Sequence, residues 1–146
     1  MILIGAVIMF GMTKKQFLKR SSKTLDETGN HALLIRGLIG QEKDGTIDNN
    51  HAYKQTKLLI EGIASTFNDY ENISPPSNCN SLHLKILRSL IILQDVASAN
   101  YDFITLSRED KSLKAQEKLE ESQNLLEKFR IEFRPLTVEL DNHLNK

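Results

Sequence analysis

Few residues in this chain are spaced for chemistry. A carboxylate-bridged metal centre in a helical bundle needs a Glu-x-x-His unit on each of two helices and two further glutamates, so that anionic oxygens and imidazoles converge on the ions. The nearest approach is Asp48-Asn49-Asn50-His51, and His31, His83 and His143 have no carboxylate three residues before them. Asp44-Gly45, Ile47 and Asp48 fall at positions five, six, eight and nine of a calcium loop. Position one would then be Gly40 and position twelve His51, where an Asp and a bidentate Glu are required. A polar turn at Asp44-Gly45, followed by Asp48 capping the next helix, explains the same residues with fewer demands.

Cys79 and His83 stand one helical turn apart, a spacing that would let an imidazole stabilise a thiolate. As the sole cysteine, Cys79 forms no internal disulfide, and a structural thiol at a helix start is the simpler reading. No Gly-rich phosphate loop, nucleophile elbow or zinc spacing of cysteines occurs. The expectation is a non-enzymatic chain with no catalytic, metal-binding or cofactor-binding residue.

The elements that would carry any site are helical. From Leu82 to Ile104, Leu82, Ile86, Leu90, Leu93, Ala97, Tyr101 and Ile104 recur in steps of three and four. Leu84, Leu87, Ile91 and Ile92 lie off that stripe, which predicts a helix apolar on most sides and central in its bundle. Ser107 is expected to cap a second helix, with Asp110 near its positive end. That helix carries Ala115, Leu119, Ser122, Leu126, Phe129 and Phe133 in alternating steps of four and three, close to a coiled-coil repeat. A short link between two such helices makes them antiparallel. Upstream, Tyr53, Thr56, Ile60, Ile63, Phe67 and Tyr70 form another stripe, halted by Pro75-Pro76. Residues 30–40 form a short apolar element, helix or strand, with Leu34, Leu38 and Ile35 inward. Pro135 is expected to kink the last helix or to start a fresh short one.

The chain of 146 residues is long enough for one domain with a real core. We expect an all-α fold, an antiparallel bundle of about four helices. The helices run over roughly 49–71, 80–105 and 108–134, with N-terminal helical elements and a short helix after Pro135. Residues 1–12 form an apolar segment and residues 13–146 a single domain. At about 18 Å as a helix, residues 1–12 fall short of a roughly 30 Å hydrocarbon core, so they read as part of an anchor, an interfacial segment or a core element. Lys14, Lys15, Lys19, Arg20 and Lys23 follow with no acid among them, the pattern of a segment beside an anionic membrane surface. A membrane-associated or extracytoplasmic location is favoured over a soluble cytoplasmic one, although the positive-inside rule would place residues 13–146 in the cytoplasm.

Lys and Arg balance Asp and Glu at 19 each, so no global charge draws the chain to nucleic acid. Residues 1–57 hold nine cations against five acids, and residues 58–146 hold ten against fourteen. The order Pro75-Pro76, Cys79, Leu82-His83, apolar helix and charged helix resembles small bacterial proteins with an N-terminal membrane segment and a helical outer domain. That resemblance spans Asn72 to Phe133 and implies no functional residue.

Two functions fit these patterns. One is a helical interaction module, binding a protein partner or itself through Ala115, Leu119, Leu126, Phe129 and Phe133. The other is a ligand-binding or regulatory bundle with an internal pocket beside Leu82–Ile104, lined by Tyr53, Tyr101 or Asp95.

Overall fold

Apolar residues recurring on one face of each helix gather four long helices into an antiparallel bundle. The structure, a computed structural model, describes residues 12–145. Helix α1 is Lys14–Asp44, α2 Asn49–Glu71, α3 Asn80–Arg108 and α4 Ser112–Leu144, with one 3-10 turn at Ser77–Cys79. They follow one another around a ring, α1 beside α2, α2 beside α3, α3 beside α4 and α4 beside α1. Helix α3 also touches α1 across the ring and so meets all three others, as its apolar character predicts.

Two clusters fill the interior. One joins Ile35, Leu38 and Ile39 of α1 to Leu59 and Ile63 of α2, Leu93 and Val96 of α3, and Leu119 and Phe129 of α4. The other, at the opposite end, joins Phe17, Leu18 and Leu25 to Tyr70, Cys79, Leu82, Ile86, Leu136 and Leu140. Of the four apolar residues off the α3 stripe, Leu87 and Ile92 are buried while Leu84 and Ile91 face solvent. The helix is therefore wrapped on three sides rather than enclosed.

The N-terminal expectation needs correction. The basic run and residues 30–40 are not separate elements but parts of one 31-residue helix that passes through Gly29, Gly37 and Gly40. Each helical glycine costs about 1 kcal/mol relative to alanine. Burial of Phe17, Leu18, Leu25, Ile35, Leu38 and Ile39 on one continuous face outweighs that cost, at about 1.5–3 kcal/mol for each large side chain. Leu34, expected inward, is 62% exposed. Thr13 opens α1 with a complete capping box to Gln16. Gly45 closes it at φ 70°, a left-handed conformation that glycine adopts without a Cβ clash. Asp48 caps α2 as expected, its carboxylate accepting from His51 N at 2.8 Å.

Two further boundaries differ. Ser107 does not cap a new helix. It lies inside α3, its hydroxyl donating to the Phe103 carbonyl at 2.8 Å. The turn comes at Glu109–Lys111 instead, where Asp110 takes φ 58°, and α4 begins without a side-chain cap. Pro135 starts no fresh helix, because α4 runs unbroken from Ser112 to Leu144.

Residues 1–11 of the apolar N-terminal segment lie outside the described residues. Met12, the last of that segment, donates its N–H to the Ser74 carbonyl at 3.2 Å and packs on the cluster around Phe17. Among the described residues, no helix is long and apolar enough to cross a membrane.

Candidate functional site

The residues expected to present an interaction face are mostly consumed by the fold. Ala115, Leu119 and Phe129 are 2–4% exposed, because α4 turns this stripe onto its neighbours. Ser122, at the narrow point of the stripe, is fully buried, with its hydroxyl 3.5 Å from the Val96 carbonyl. Leu126 and Phe133 are only half-buried, and they open onto something the helical repeat did not indicate.

Between α1 and α4 runs an open groove of about 780 Å³. Leu25, Ala32 and Leu33 form its α1 wall, and Leu126, Phe129 and Phe133 its α4 wall. The gap arises where α1 offers little side chain. Gly29 lies over Phe133, and a Cβ built there would sit 3.8 Å from the ring edge. Phe133 stacks on Phe129 at 4.9 Å between ring centres, so the aromatic wall is braced from within. Leu33 is 65% exposed, a cost in wet apolar surface that an occupant would remove.

The rim is charged. Arg130 forms two hydrogen bonds to the Glu127 carboxylate, at 2.7 and 3.1 Å. The Arg130 contact holds the Glu127 pKa below the usual carboxylate value. Arg36 and Arg134 also line the groove, and neither makes an ion pair among the described residues. The groove therefore has an apolar floor and a rim where Arg36 and Arg134 make no direct ion pair among the described residues. No single helix carries that pattern, so periodicity could not have found it.

The other singled-out residues do not converge. Lys14, Lys15, Lys19 and Lys23 are exposed on the first half of α1, while Arg20 is half-buried. Lys15, Lys19 and Lys23, four apart, share one helix face. Tyr53 and Tyr101 pack on each other at 5.6 Å between ring centres, with the Arg108 guanidinium over Tyr53 at 4.5 Å. Neither they nor Asp95 line the α1–α4 groove or a second, smaller groove of about 410 Å³ between α1 and α2. Cys79 is buried and its sulfur lies 3.6 Å from Asn78 Oδ1. His83 is bonded elsewhere, its Nε2 donating to the Tyr70 carbonyl at 2.9 Å.

One polar chain was missed by sequence. Thr66 donates to Glu27 at 3.4 Å and lies 3.1 Å from His31 Nε2. Burial lowers the His31 pKa, against a smaller opposing pull from Glu27. Gly62 makes room for this ring, since a Cβ there would lie 3.0 Å from His31 Cε1. The hydroxyl, not the imidazole, stands in the middle, so this is not the order in which a histidine activates a nucleophile. Among the described residues no three His, Cys, Asp or Glu side chains gather as a metal site.

No protein-family model matches this chain, and neither a curated protein nor a solved structure matches it. The class defined by fold and surface is an antiparallel four-helix bundle with a charged-rim groove.

Proposed function

We propose that this chain is a non-enzymatic interaction module that takes an amphipathic helix of a partner protein into the groove between α1 and α4. The observation that carries this reading is the groove itself, with an apolar floor on two helices and the arginines Arg36 and Arg134 at its edge. Its α1 wall from Leu25 to Arg36 is about 17 Å long, the length of about three helical turns. A partner helix would lay apolar residues at three- and four-residue steps on Leu33 and Phe133. Acidic residues flanking that face would meet Arg36 and Arg134, while Asp26 and Glu127 fix its direction.

The test uses labelled helical peptides of about 14 residues, identical on their apolar face and carrying either Glu or Lys on the flanks, titrated by fluorescence anisotropy. The acidic peptide is expected to bind more tightly than the basic one. Leu33→Asp is expected to weaken it at least tenfold while leaving the melting temperature within about 2 °C, because Leu33 is already exposed. Arg134→Glu is expected to narrow or reverse the preference. Equal binding of both peptides, or undiminished binding to the Leu33→Asp chain, would refute the groove as the site. Sedimentation of the unliganded protein separates this from self-association, which would show as a concentration-dependent mass.

A second reading is favoured by the exposed row Lys15, Lys19 and Lys23: the start of α1 lies against an anionic membrane surface. Each lysine near such a surface contributes about 1 kcal/mol, so changing all three to Gln is expected to reduce binding to phosphatidylserine vesicles by more than tenfold. Binding unchanged by this triple substitution, or by raising the salt concentration, would rule it out.

A further inference from the structure

Where the end of α1 meets α2 and α3, the interior holds polar side chains that lack donors. Asn100 of α3 and Thr56 of α2 are both fully buried. The Asn100 amide donates to Thr56 Oγ1 at 3.1 Å, which leaves Asn100 Oδ1 buried and unpartnered. Glu42, near the C-terminus of α1, has both carboxylate oxygens buried without a partner. Three buried acceptor atoms thus share one corner of the core, each without a hydrogen bond among the described residues. An unpaired buried acceptor destabilises the fold, and an unpaired buried charge does so more strongly.

A single proton changes this count. A neutral carboxylic acid has one O–H to donate, and Asn100 Oδ1 is the acceptor lacking a hydrogen. Among the described residues no cation pairs with Glu42. Arg108 of α3 is engaged with the Tyr53 ring and Asn50. Lys118 of α4 pairs with Glu121, and lies 3.9 Å from Asp102 of α3. On α2, Lys54, Lys57 and His51 are exposed, as is Lys43 on α1 itself. Glu42 also lies at the negative end of the α1 dipole, which disfavours a second negative charge.

We propose that Glu42 is a proton-operated latch on the end of α1. Protonated, it donates to Asn100 and holds the last turn of α1 against α2 and α3. Ionised, it has no counter-ion, and the one amide beside it, that of Asn100, is already given to Thr56, so it swings to solvent. The turn closed by Gly45 N–H on the Glu42 carbonyl and Thr46 N–H on the Gln41 carbonyl then loosens. That turn borders the smaller groove lined by Leu38, Gln41 and Ile47, so the latch would couple pH to the shape of that groove.

Burial pushes the Glu42 pKa up to about 7, and the neighbouring Asn100 amide offsets only part of this rise. The folded pKa exceeds the unfolded value of about 4.5, so the folded state holds the proton more tightly. The associated stability is complete below about pH 4.5, and it is lost as pH rises to about 7.

The test is a carbon-13 NMR titration of the Glu42 carboxyl in the full chain, with unfolding of the wild type and Glu42→Gln compared at pH 5 and 8. The amide introduced by Glu42→Gln donates to Asn100 at every pH. We expect a Glu42 midpoint above about 6. We also expect the unfolding constant of the wild type to rise between the two pH values by roughly tenfold or more beyond that of Glu42→Gln. Taking the difference between the two chains removes the opposite contribution of half-buried His31. Amide exchange at Gly45 and Thr46, corrected for its intrinsic pH dependence, should quicken above pH 7 in the wild type only. A midpoint below about 6 would overturn the proposal, as would a smaller difference between the chains or matching exchange in both. Those results would mean that the Asn100 amide is turned over, accepting from Thr56 and donating to an ionised Glu42. The NMR midpoint needs no variant, so the proposal can be refuted even if Glu42→Gln fails to fold.

Discussion

Replacing Tyr70 with alanine costs about 3–5 kcal/mol of stability and lowers the melting temperature by about 10 °C or more. Tyr70 is fully buried at the end of α2 and joins two other helices, α1 and α3. Its ring packs on Phe17 of α1 and His83 of α3, at 6.3 and 4.7 Å between centres. Its hydroxyl shares a 2.6 Å hydrogen bond with Ser21, which is itself fully buried. Burial raises the phenol pKa, so the group stays neutral at physiological pH. Truncation removes the ring, leaves a cavity at the bundle end and strands the Ser21 hydroxyl. Tyr70→Phe keeps the ring and loses only the hydrogen bond, so it should cost about 1–2 kcal/mol. Leu113→Ala, at an 83% exposed position, should change stability by less than about 0.5 kcal/mol. Urea unfolding of the three variants checks the order. A loss under about 1 kcal/mol for Tyr70→Ala would contradict the packing described for this end.

Pro135→Ala is expected to stabilise the protein by about 1–3 kcal/mol, a gain of several degrees in melting temperature. Proline inside a helix removes one backbone hydrogen bond and presses its ring on the preceding turn, at a cost of about 3 kcal/mol. Pro135 is exposed and its helix continues to Leu144, so alanine would restore the bond without disturbing a buried contact. The native chain tolerates the penalty because Leu136 and Leu140, just beyond the proline, are 3–4% exposed in the cluster with Phe17 and Tyr70. Burying each contributes about 1.5–3 kcal/mol, enough together to exceed the loss. Ion pairs from Lys85 to Glu139 and Arg88 to Glu132 flank this contact but are solvent-exposed and add little. Thermal unfolding of Pro135→Ala decides the matter. A less stable variant would show that the proline-shaped turn is itself part of the packing.

These two residues mark where local rules and the whole fold diverge. Local chemistry reads Pro135 as a break and Gly29, Gly37 and Gly40 as interruptions. The folded chain runs helices through all of them, because stopping would expose the apolar residues that follow. The Ser107 cap failed for a related reason. Ile104 is fully buried, and α3 continues past it to Arg108 before the chain can turn at Asp110.

The stripes of Tyr53–Tyr70, Leu82–Ile104 and Ala115–Phe133 were legible as three helices because a 3.6-residue period repeats within one segment. So was the antiparallel order, since short links allow no other. The all-α class follows from the same period, whereas the single long α1 did not, because its glycines divided the stretch into a basic run and a short separate element. Which stripe residues stay available was decided only by tertiary packing. Ala115, Leu119 and Phe129 are covered by other helices, whereas Leu126, Phe133 and Leu33 from far along the chain meet at an open groove. The Glu42–Asn100–Thr56 corner likewise unites three helices. Periodicity records which way a side chain points from its own axis. It carries no information on how closely another axis approaches, and both the groove and the buried carboxyl depend on that distance.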